Sequence, residues 1–231
     1  MHNKTIIISL GGSLIVPEEI DWEFVKKFKT LIEEQINRGF KFILITGGGK
    51  ICRKYQDAAA KASTEITDED KDWLGIHATR MNAHFIRTVF REYAHPRINK
   101  NPHDLEDFYN FKESILVAAG WRPGFSTDFD AVILAKYLGI KKVINLSNID
   151  YVCDKDPKKF PDAKQIEKIS WADFRQLVGD TWDPGMNAPF DPIASKEAQE
   201  IGLEVAIMNG KNLDNLRDYL EERESKGTII S

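Results

Sequence analysis

Short apolar runs alternate along the chain with longer segments whose apolar residues recur at helical spacing. The run Thr5–Leu10 is rich in β-branched residues and is closed by glycines, which is typical of a buried strand. The next segment predicts a helix that Pro17 opens and Gly39 ends. Its apolar face would consist of Ile20, Phe24, Phe28, Leu31 and Ile32. Phe40–Thr46 is a second predicted buried strand.

The same alternation resumes after a more polar middle segment, residues 64–113, which we expect to lie over the sheet as helices and loops. The later predicted elements are strands at 114–119, 142–146 and 203–208, and helices at about 128–139, 170–179 and 191–202. The loop 148–164 between them contains little that could be core. This β-α-β rhythm predicts an α/β fold with a mostly parallel sheet, helices on both faces and a site at the carboxyl ends of the strands.

The composition narrows the class of protein. The chain has 231 residues, of which 42% are hydrophobic and 29% charged, as in an ordinary globular protein. A net charge of -4 argues against a nucleic-acid partner, since that needs a concentrated basic surface. Cys52 and Cys153 are the two cysteines, too few for a disulfide framework or a zinc ribbon. The first apolar stretch is too short for a signal segment or a membrane span, so we expect a cytoplasmic protein without a membrane partner.

Two glycine-rich loops each follow a predicted strand: SLGGS at 9–13 and ITGGGK at 45–50. Backbone N–H groups at a strand-to-helix turn can bind an anion, and glycine lets a phosphate oxygen approach the backbone closely. A tight turn would by itself explain either loop. Two such loops together, with Lys50, Arg53 and Lys54 after the second, favour phosphate binding. The chain has neither a GxxxxGK[ST] motif nor a GxGxxG motif after a strand, which excludes P-loop and dinucleotide-binding proteins.

A third segment, WRPGFSTDFDA at 121–131, ends a loop where a helix begins. The hydroxyl and N–H groups of Ser126 and Thr127 can hold an anionic substrate there. Asp128 could orient a metal ion or a basic residue, or it could simply cap the helix. Lys196 lies within a later predicted helix, where a solvated surface lysine is the ordinary alternative to a functional one.

Taken in order, these segments resemble the amino acid kinase superfamily, and within it the UMP kinases, especially those of the archaeal type. The resemblance is carried by GGS, GGGKxxRxY, KDWLGIHATRMNA, RPGFSTD, SNIDYVCDKDPKK, DPIASK and KGTII, which together cover about residues 5–230. It implies one domain over 1–231, a three-layer αβα sandwich with an acceptor-binding half at about 1–140 and an ATP-binding half at about 141–231. It also implies in-line transfer of a phosphoryl group from ATP to UMP in pyrimidine biosynthesis, with Mg²⁺ arriving with the ATP and no resident metal.

The resemblance also implies roles for individual residues. The catalytic residues would be Lys50, Asp128 and Lys196. The ATP-binding residues would be Gly11, Gly12, Ser13, Gly49, Arg53, Ser147 and Asp156. The UMP-binding residues would be Gly48, Asp72, Trp121, Arg122, Gly124, Phe125, Ser126 and Thr127, with Asp72 on the ribose hydroxyls. Relatives are commonly hexamers built as trimers of dimers, so we expect a homo-oligomer.

Several residues depart from the family pattern. Trp121 and Phe125 stand where archaeal members have a threonine and a histidine, and Tyr151 and Cys153 replace a glycine and an aromatic residue of the donor loop. Ser9 stands where bacterial members have a lysine, which archaeal members also lack. Two alternatives therefore stay open: a non-catalytic relative that binds nucleotides or oxyanion clusters, as in molybdenum storage proteins, and a kinase of the same fold with another small acceptor. The retained charged residues favour the UMP kinase.

Overall fold

The computed structural model describes residues 4–104, 106, 111–179 and 188–231. The strands in chain order are β1 Lys4–Leu10, β2 Phe40–Thr46, β3 Ile115–Ala118, β4 Lys142–Ser147, β5 Val152–Cys153, β6 Gln165–Ile166, β7 Lys168–Ile169, β8 Glu204–Asn209 and β9 Thr228–Ile230. A seven-stranded sheet has the order β3-β2-β1-β4-β8-β9-β7, and β5 pairs with β6 in a separate antiparallel ribbon. Within the large sheet every neighbouring pair is parallel except β8 with β9. This confirms the predicted α/β fold with a mostly parallel sheet.

The helices in chain order are α1 Gly12–Ile15, α2 Trp22–Asn37, α3 Gly49–Ala62, α4 Asp68–Val89, α5 Thr127–Leu138, α6 Trp171–Val178, α7 Pro192–Glu200 and α8 Leu213–Leu220. Helices α1, α2, α4 and α8 pack on one face of the sheet, and α5, α6 and α7 pack on the other. Successive side chains of a strand point to opposite faces, so Ile8 and Leu10 enter the first core while Ile7 enters the second. The covered sheet forms the middle layer of an αβα sandwich.

The start of α2 differs from the predicted one. The prediction that Pro17 opens this helix is wrong, because the helix begins at Trp22 and the Asp21 side chain accepts a hydrogen bond from the Phe24 N–H at 2.9 Å. Ile20 therefore lies before the helix and is 58% exposed, whereas the other four residues of the predicted apolar face are buried. A side-chain acceptor satisfies a free N–H group of the first turn, which proline cannot do.

Short elements in the C-terminal half are absent from the predicted pattern. The pattern does not predict strand β9. Residues 148–164 hold little core, as expected, and Val152, which is 2% exposed, is the buried residue among them. Its N–H group donates to the Thr228 hydroxyl at 2.8 Å, which ties this loop to β9. Strands of two or three residues are too short to show a period, so they depend on partners that are distant in sequence.

The polar middle segment of the chain contains one long helix, α4, of 22 residues. It begins with a capping box in which Thr67 and Asp70 each bond the other's backbone N–H. The helix packs against α3, β2 and β3, so its buried face reaches the ends of the strands. Among the described residues, no helix is long and apolar enough to cross a membrane.

Candidate functional site

The two glycine loops lie directly against each other at the carboxyl ends of β1 and β2. The Gly47 N–H donates to the Leu10 carbonyl at 3.0 Å. A Cβ atom at Gly12 would lie 2.0 Å from the Gly49 nitrogen, and one at Gly47 would lie 2.5 Å from the Gly12 nitrogen. Gly49 also has a φ of +69°, which side chains rarely adopt. Glycine is therefore required for the contact between the two loops. This reason is separate from the close approach of a phosphate, which the sequence analysis predicts.

Helix α3 begins at this contact. Gly48 is its N-cap residue, and no side chain caps the helix. The N–H groups of its first turn and its dipole therefore favour an anion at this end. Lys50 in the same turn pairs with Glu18 at 3.1 Å, whereas Arg53 is exposed and makes no hydrogen bond or ion pair with the described part of the chain. An exposed pair such as Lys50–Glu18 is weak, so a bound phosphate can compete for the lysine.

Asp128 lies in the first turn of α5 but does not cap it. Ser126 is the N-cap residue, and its hydroxyl accepts the Phe129 N–H at 3.2 Å. The alternative that Asp128 is a simple helix cap is therefore wrong. The Asp128 side chain is partly buried and is free to make contacts with other parts of the chain.

Asp128 connects three separate elements. One carboxylate oxygen accepts hydrogen bonds from the Ser9 hydroxyl at 3.1 Å and from the Asn145 amide at 3.0 Å. The other oxygen faces the backbone N–H of Asp191 at 3.4 Å. The end of β1, the end of β4 and the start of α7 are thus held by one carboxyl group.

Three carboxyl groups gather around this point: Asp128, Asp130 and Asp191, which we call the carboxyl cluster. Asp130 is 1% exposed and neither of its oxygens accepts a hydrogen bond. Asp191 is 3% exposed, and it caps α7 by accepting the Ala194 N–H at 2.7 Å, as the sequence predicts. No described basic side chain forms an ion pair with the cluster. No described group of three His, Cys, Asp or Glu residues is arranged to hold a metal ion.

Burial dominates the protonation of the cluster. Burial and the charge of Asp191 together raise the pKa of Asp128 to about 7, although hydrogen bonds from Ser9 and from the Asp191 N–H act in the opposite direction. Burial also raises the pKa of Asp191. It raises the pKa of Asp130 well above its ordinary value, against the effects of the Trp121 N–H and the Arg80 guanidinium. The cluster therefore holds protons at a pH where exposed aspartates are ionised.

Helix α4 aligns the glycine loop with the loop at 120–127. Asn82 donates to the carbonyls of residues 47 and 48 at 2.8 and 3.2 Å. Arg80 donates to the carbonyls of residues 120 and 121 at 3.3 and 2.9 Å, and the Thr79 hydroxyl accepts the N–H of residue 120 at 2.9 Å. From the sequence alone, a role in helix packing explains Arg80 and Asn82 as well as a role in the site does. A role beyond packing is indicated by two polar residues, Thr79 and Asn82, that lie on the buried face of the helix.

A cavity beside the loop 120–127 contains several of the predicted UMP-binding residues. Asp72 accepts the Gly124 N–H at 2.8 Å, and Gly124 has a φ of +84°. Trp121 and Phe125 pack with ring centroids 5.2 Å apart, and the Arg122 guanidinium lies 4.1 Å from the Trp121 ring. The cavity thus combines the Asp72 carboxylate, the Arg122 guanidinium and two aromatic side chains, Trp73 and Phe125, whereas Trp121 is not among the residues that line it.

A second cavity lies in the other half of the molecule. Ser147, at the end of β4, and Asp156, in the turn after β5, both line it. So do Tyr151 and Cys153, which depart from the family pattern. Lys196 is exposed on α7, one turn after Asp191, and makes no ion pair with the described residues. The structure therefore places two of the predicted ATP-binding residues, Ser147 and Asp156, around this cavity but does not bring Lys196 to the carboxyl cluster.

The remaining predicted residues lie beside the first glycine loop and at the start of α5. Gly11 donates its N–H to the Leu146 carbonyl at 2.8 Å, and Ser13 lies in α1 directly after the first glycine loop. Thr127 is the first residue of α5. The glycine loops, the α3 N-terminus and the loops that line the two cavities follow the carboxyl ends of parallel strands, an arrangement that is typical of phosphate-binding α/β proteins.

Comparison with known proteins agrees with this class. Residues 4–209 match the model of the Amino acid kinase family, and the chain belongs to that family. The uridylate kinase of Pyrococcus abyssi is 31% identical over 230 residues, covering 97% of this chain and 98% of the relative. The uridylate kinase of Staphylothermus marinus is 32% identical over 228 residues and 99% of each chain. The crystal structure of uridylate kinase from Archaeoglobus fulgidus superposes with a TM-score of 0.81 at 25% identity, over 99% of this chain and 100% of that one.

Proposed function

We propose that the protein is a UMP kinase, which transfers the γ-phosphoryl group of ATP to UMP and so supplies UDP for pyrimidine nucleotide biosynthesis. The observation that carries the proposal is the pair of cavities at the carboxyl edge of the sheet, one containing Asp72 and the other Ser147 and Asp156. The similarity of nearly the whole chain to proteins named uridylate kinase supports this choice of acceptor.

In the proposed reaction, an oxygen of the UMP phosphate attacks the γ-phosphorus of ATP. The bond from that phosphorus to the bridging oxygen breaks, and ADP leaves with the electron pair. Phosphoryl transfer of this kind depends mainly on positioning and on stabilising the charge of the transferring group. Gly12 and Ser13 of α1 would hold the phosphates through backbone N–H groups, together with Gly48 and Gly49 at the α3 N-terminus. Mg²⁺ enters as part of the ATP substrate.

Charged side chains would complete the reaction centre. Arg53 has no described partner and Lys50 has only an exposed one, so both are available to neutralise phosphate charge. Asp128 would fix the ends of β1 and β4 and the start of α7 around the reacting groups. Lys196 would have to turn inward from the surface of α7 to reach the transferring phosphoryl group.

The acceptor is proposed to bind in the cavity beside the loop 120–127. Asp72 would accept hydrogen bonds from the ribose hydroxyls, and Ser126 and Thr127 would contact the UMP phosphate. Trp121 and Phe125 would pack against the base, with Arg122 and Gly124 shaping the same loop. Aromatic side chains bind bases by stacking, which tolerates replacement of the usual residues.

Asp72→Asn tests the acceptor site. The variant keeps an oxygen that can accept the Gly124 N–H but loses the charge that strengthens bonds from ribose hydroxyls. We expect the KM for UMP to rise about 10- to 100-fold, since a hydrogen bond to a charged group contributes roughly 1.5–3 kcal/mol, with little change in the KM for ATP. Steady-state kinetics with each substrate varied measures this split. Asp57→Asn, the same change at an exposed position of α3, is the control and should leave both constants unchanged.

ADP release from Mg-ATP tests the proposed function as a whole. UMP, CMP, GMP, AMP and isopentenyl phosphate are offered as acceptors, with ATP binding measured separately. We expect turnover to depend on UMP. Turnover with another acceptor would keep the mechanism and change the substrate. ATP binding without turnover of any acceptor would favour the non-catalytic binding protein.

Assembly and location belong to the same proposal. We propose a hexamer built as a trimer of dimers, in the cytoplasm, where ATP and UMP are available. Exposed apolar side chains that a subunit contact would cover support an oligomer; they include Ile20, Trp22, Tyr55 and Met81. Light scattering of the purified protein would give the mass of the assembly, and a monomer would contradict this part.

A further inference from the structure

The Asp130 carboxyl group has no counterpart among the residues that the sequence assigns to the site. It lies two residues after Asp128 in the first turn of α5, is 1% exposed, and has no hydrogen-bond partner on either oxygen. A buried polar group without a partner is costly, and native structures contain few of them. Such a group beside Asp128 calls for a functional explanation.

The charged groups that act on Asp130 come from three elements. Asp128 is on the same helix, Asp191 is at the start of α7, and both disfavour a further negative charge. Arg80 on α4 is the described cation that acts on it. Arg80 nevertheless donates its hydrogen bonds to the carbonyls of residues 120 and 121 and forms no described ion pair with Asp130. No close positive charge therefore compensates an ionised Asp130.

The hydrogen bonds of the cluster are distributed unequally. Asp128 faces three donors, from Ser9, Asn145 and the Asp191 backbone, and Asp191 accepts the Ala194 N–H. Neither oxygen of Asp130 has a partner within hydrogen-bonding distance, and the Trp121 N–H is the one described donor that acts on it. Donors stabilise a carboxylate, and neighbouring carboxyl groups in a poorly solvated place cannot all be ionised. The proton is therefore held most strongly at Asp130, the most weakly hydrogen-bonded member.

We propose that Asp130 is a positioning residue that keeps a proton within the carboxyl cluster, so that Asp128 ionises alone near neutral pH and holds the ends of β1 and β4 and the start of α7. The neutral Asp130 adds no second negative charge where phosphate groups must bind. Its ionisation as pH rises would place that charge beside Asp128 and oppose binding of the nucleotides. The consequence for catalysis depends on the proposed kinase function, whereas the protonation itself does not.

The pH dependence of unfolding tests the protonation without any activity. If Asp130 is protonated in the folded protein and ionised in the unfolded chain, folding takes up a proton. The contribution of Asp130 to the free energy of unfolding then decreases as pH rises above its pKa in the unfolded chain. Asp130→Asn is neutral in both states and lacks this dependence. The ratio of folding constants, variant over wild type, should rise by up to about tenfold per pH unit above the ordinary aspartate pKa of about 4, until folded Asp130 itself ionises. Urea unfolding at several pH values measures it, with Asp57→Asn as the matched control.

Asp130→Val repeats the measurement with a side chain of similar shape that leaves no unpartnered polar atom. It should show the same rising ratio even if the buried amide of Asp130→Asn lowers stability at every pH. A ratio that stays constant for both variants would mean that Asp130 is ionised in the folded protein, and the proposal would be wrong.

The pH dependence of turnover tests the positioning role. Asp130→Asn should keep kcat at pH 7 within about threefold of wild type, retain the decrease at low pH, and lose the decrease at high pH. The KM values for ATP and UMP should be unchanged at pH 7. A folded variant with kcat reduced about 100-fold at pH 7 would show that an ionised Asp130 is needed, which contradicts the proposal. If wild type has no kinase activity, the proposed function fails and the unfolding experiment alone decides the protonation.

Discussion

Asp128→Asn should lower kcat for UDP formation by about a hundred- to a thousand-fold, as the loss of one preorganised group at a reaction centre does in other enzymes. The asparagine oxygen can still accept from Ser9 and Asn145, but its NH₂ group faces the Asp191 N–H, so two donors oppose each other. The charge is lost as well. The start of α7 should therefore shift from its place beside β1 and β4, with the carboxyl ends of these strands no longer held by one group.

Steady-state kinetics together with ATP binding measures this effect. Binding of ATP should persist in Asp128→Asn, because the donor cavity lies around Ser147 and Asp156. Asp57→Asn supplies the control for a lost surface charge. An Asp128→Asn variant with near-wild-type kcat would mean that the carboxylate has no part in the reaction, and the proposed centre would have to lie elsewhere.

The pH profile of the wild type provides an independent check of Asp128. Its pKa is raised to about 7, so the protonated form predominates below that pH and the acceptor for the Asp191 N–H is lost. We expect kcat at saturating substrates to decrease as pH falls below about 7, and this decrease should approach tenfold per pH unit. A phosphate monoester itself titrates near about pH 6. The residual activity of Asp128→Asn separates the two effects, since only a substrate titration would survive in the variant.

Gly12→Ala should abolish activity and lower the free energy of unfolding by about 4 kcal/mol or more, which is exceptional for one substitution. The added Cβ would lie 2.0 Å from the Gly49 nitrogen and 2.6 and 2.7 Å from the carbonyl carbons of residues 47 and 48. All three are backbone atoms, so no side chain can rotate away. The glycine loops would have to separate, and the backbone N–H groups proposed to hold the phosphates would separate with them.

Gly139→Ala is the matched control for this change. Gly139 has a φ of +66°, and a Cβ added there would have no described atom within 4 Å, so its substitution costs only the left-handed backbone, about 1–2 kcal/mol. Its activity should be normal. Urea unfolding of the two variants separates backbone strain from the clash between loops. Equal stabilities and normal turnover in Gly12→Ala would show that the loops are not in contact in solution.

Local pattern was sufficient for elements whose determinants lie within a few residues. Strand β2 has the predicted bounds Phe40–Thr46, because it is a continuous apolar run closed by glycine. Helix α6 starts after the Ser170 cap, and α7 starts after Asp191 with Pro192 in its first turn. The α2 start was misplaced since proline and aspartate are both start signals, and the aspartate supplies the hydrogen bond.

The sequence by itself determined the α/β class and the two glycine loops, since each depends on a short stretch of residue types. Only the tertiary structure decided that the glycine loops touch, that α4 aligns them with the acceptor loop, and that Asp130 is buried without a partner. The physical reason is the separation of the partners. Ser9 and Asp128 are 119 residues apart in sequence and 3.1 Å apart in space, so no local pattern encodes their hydrogen bond.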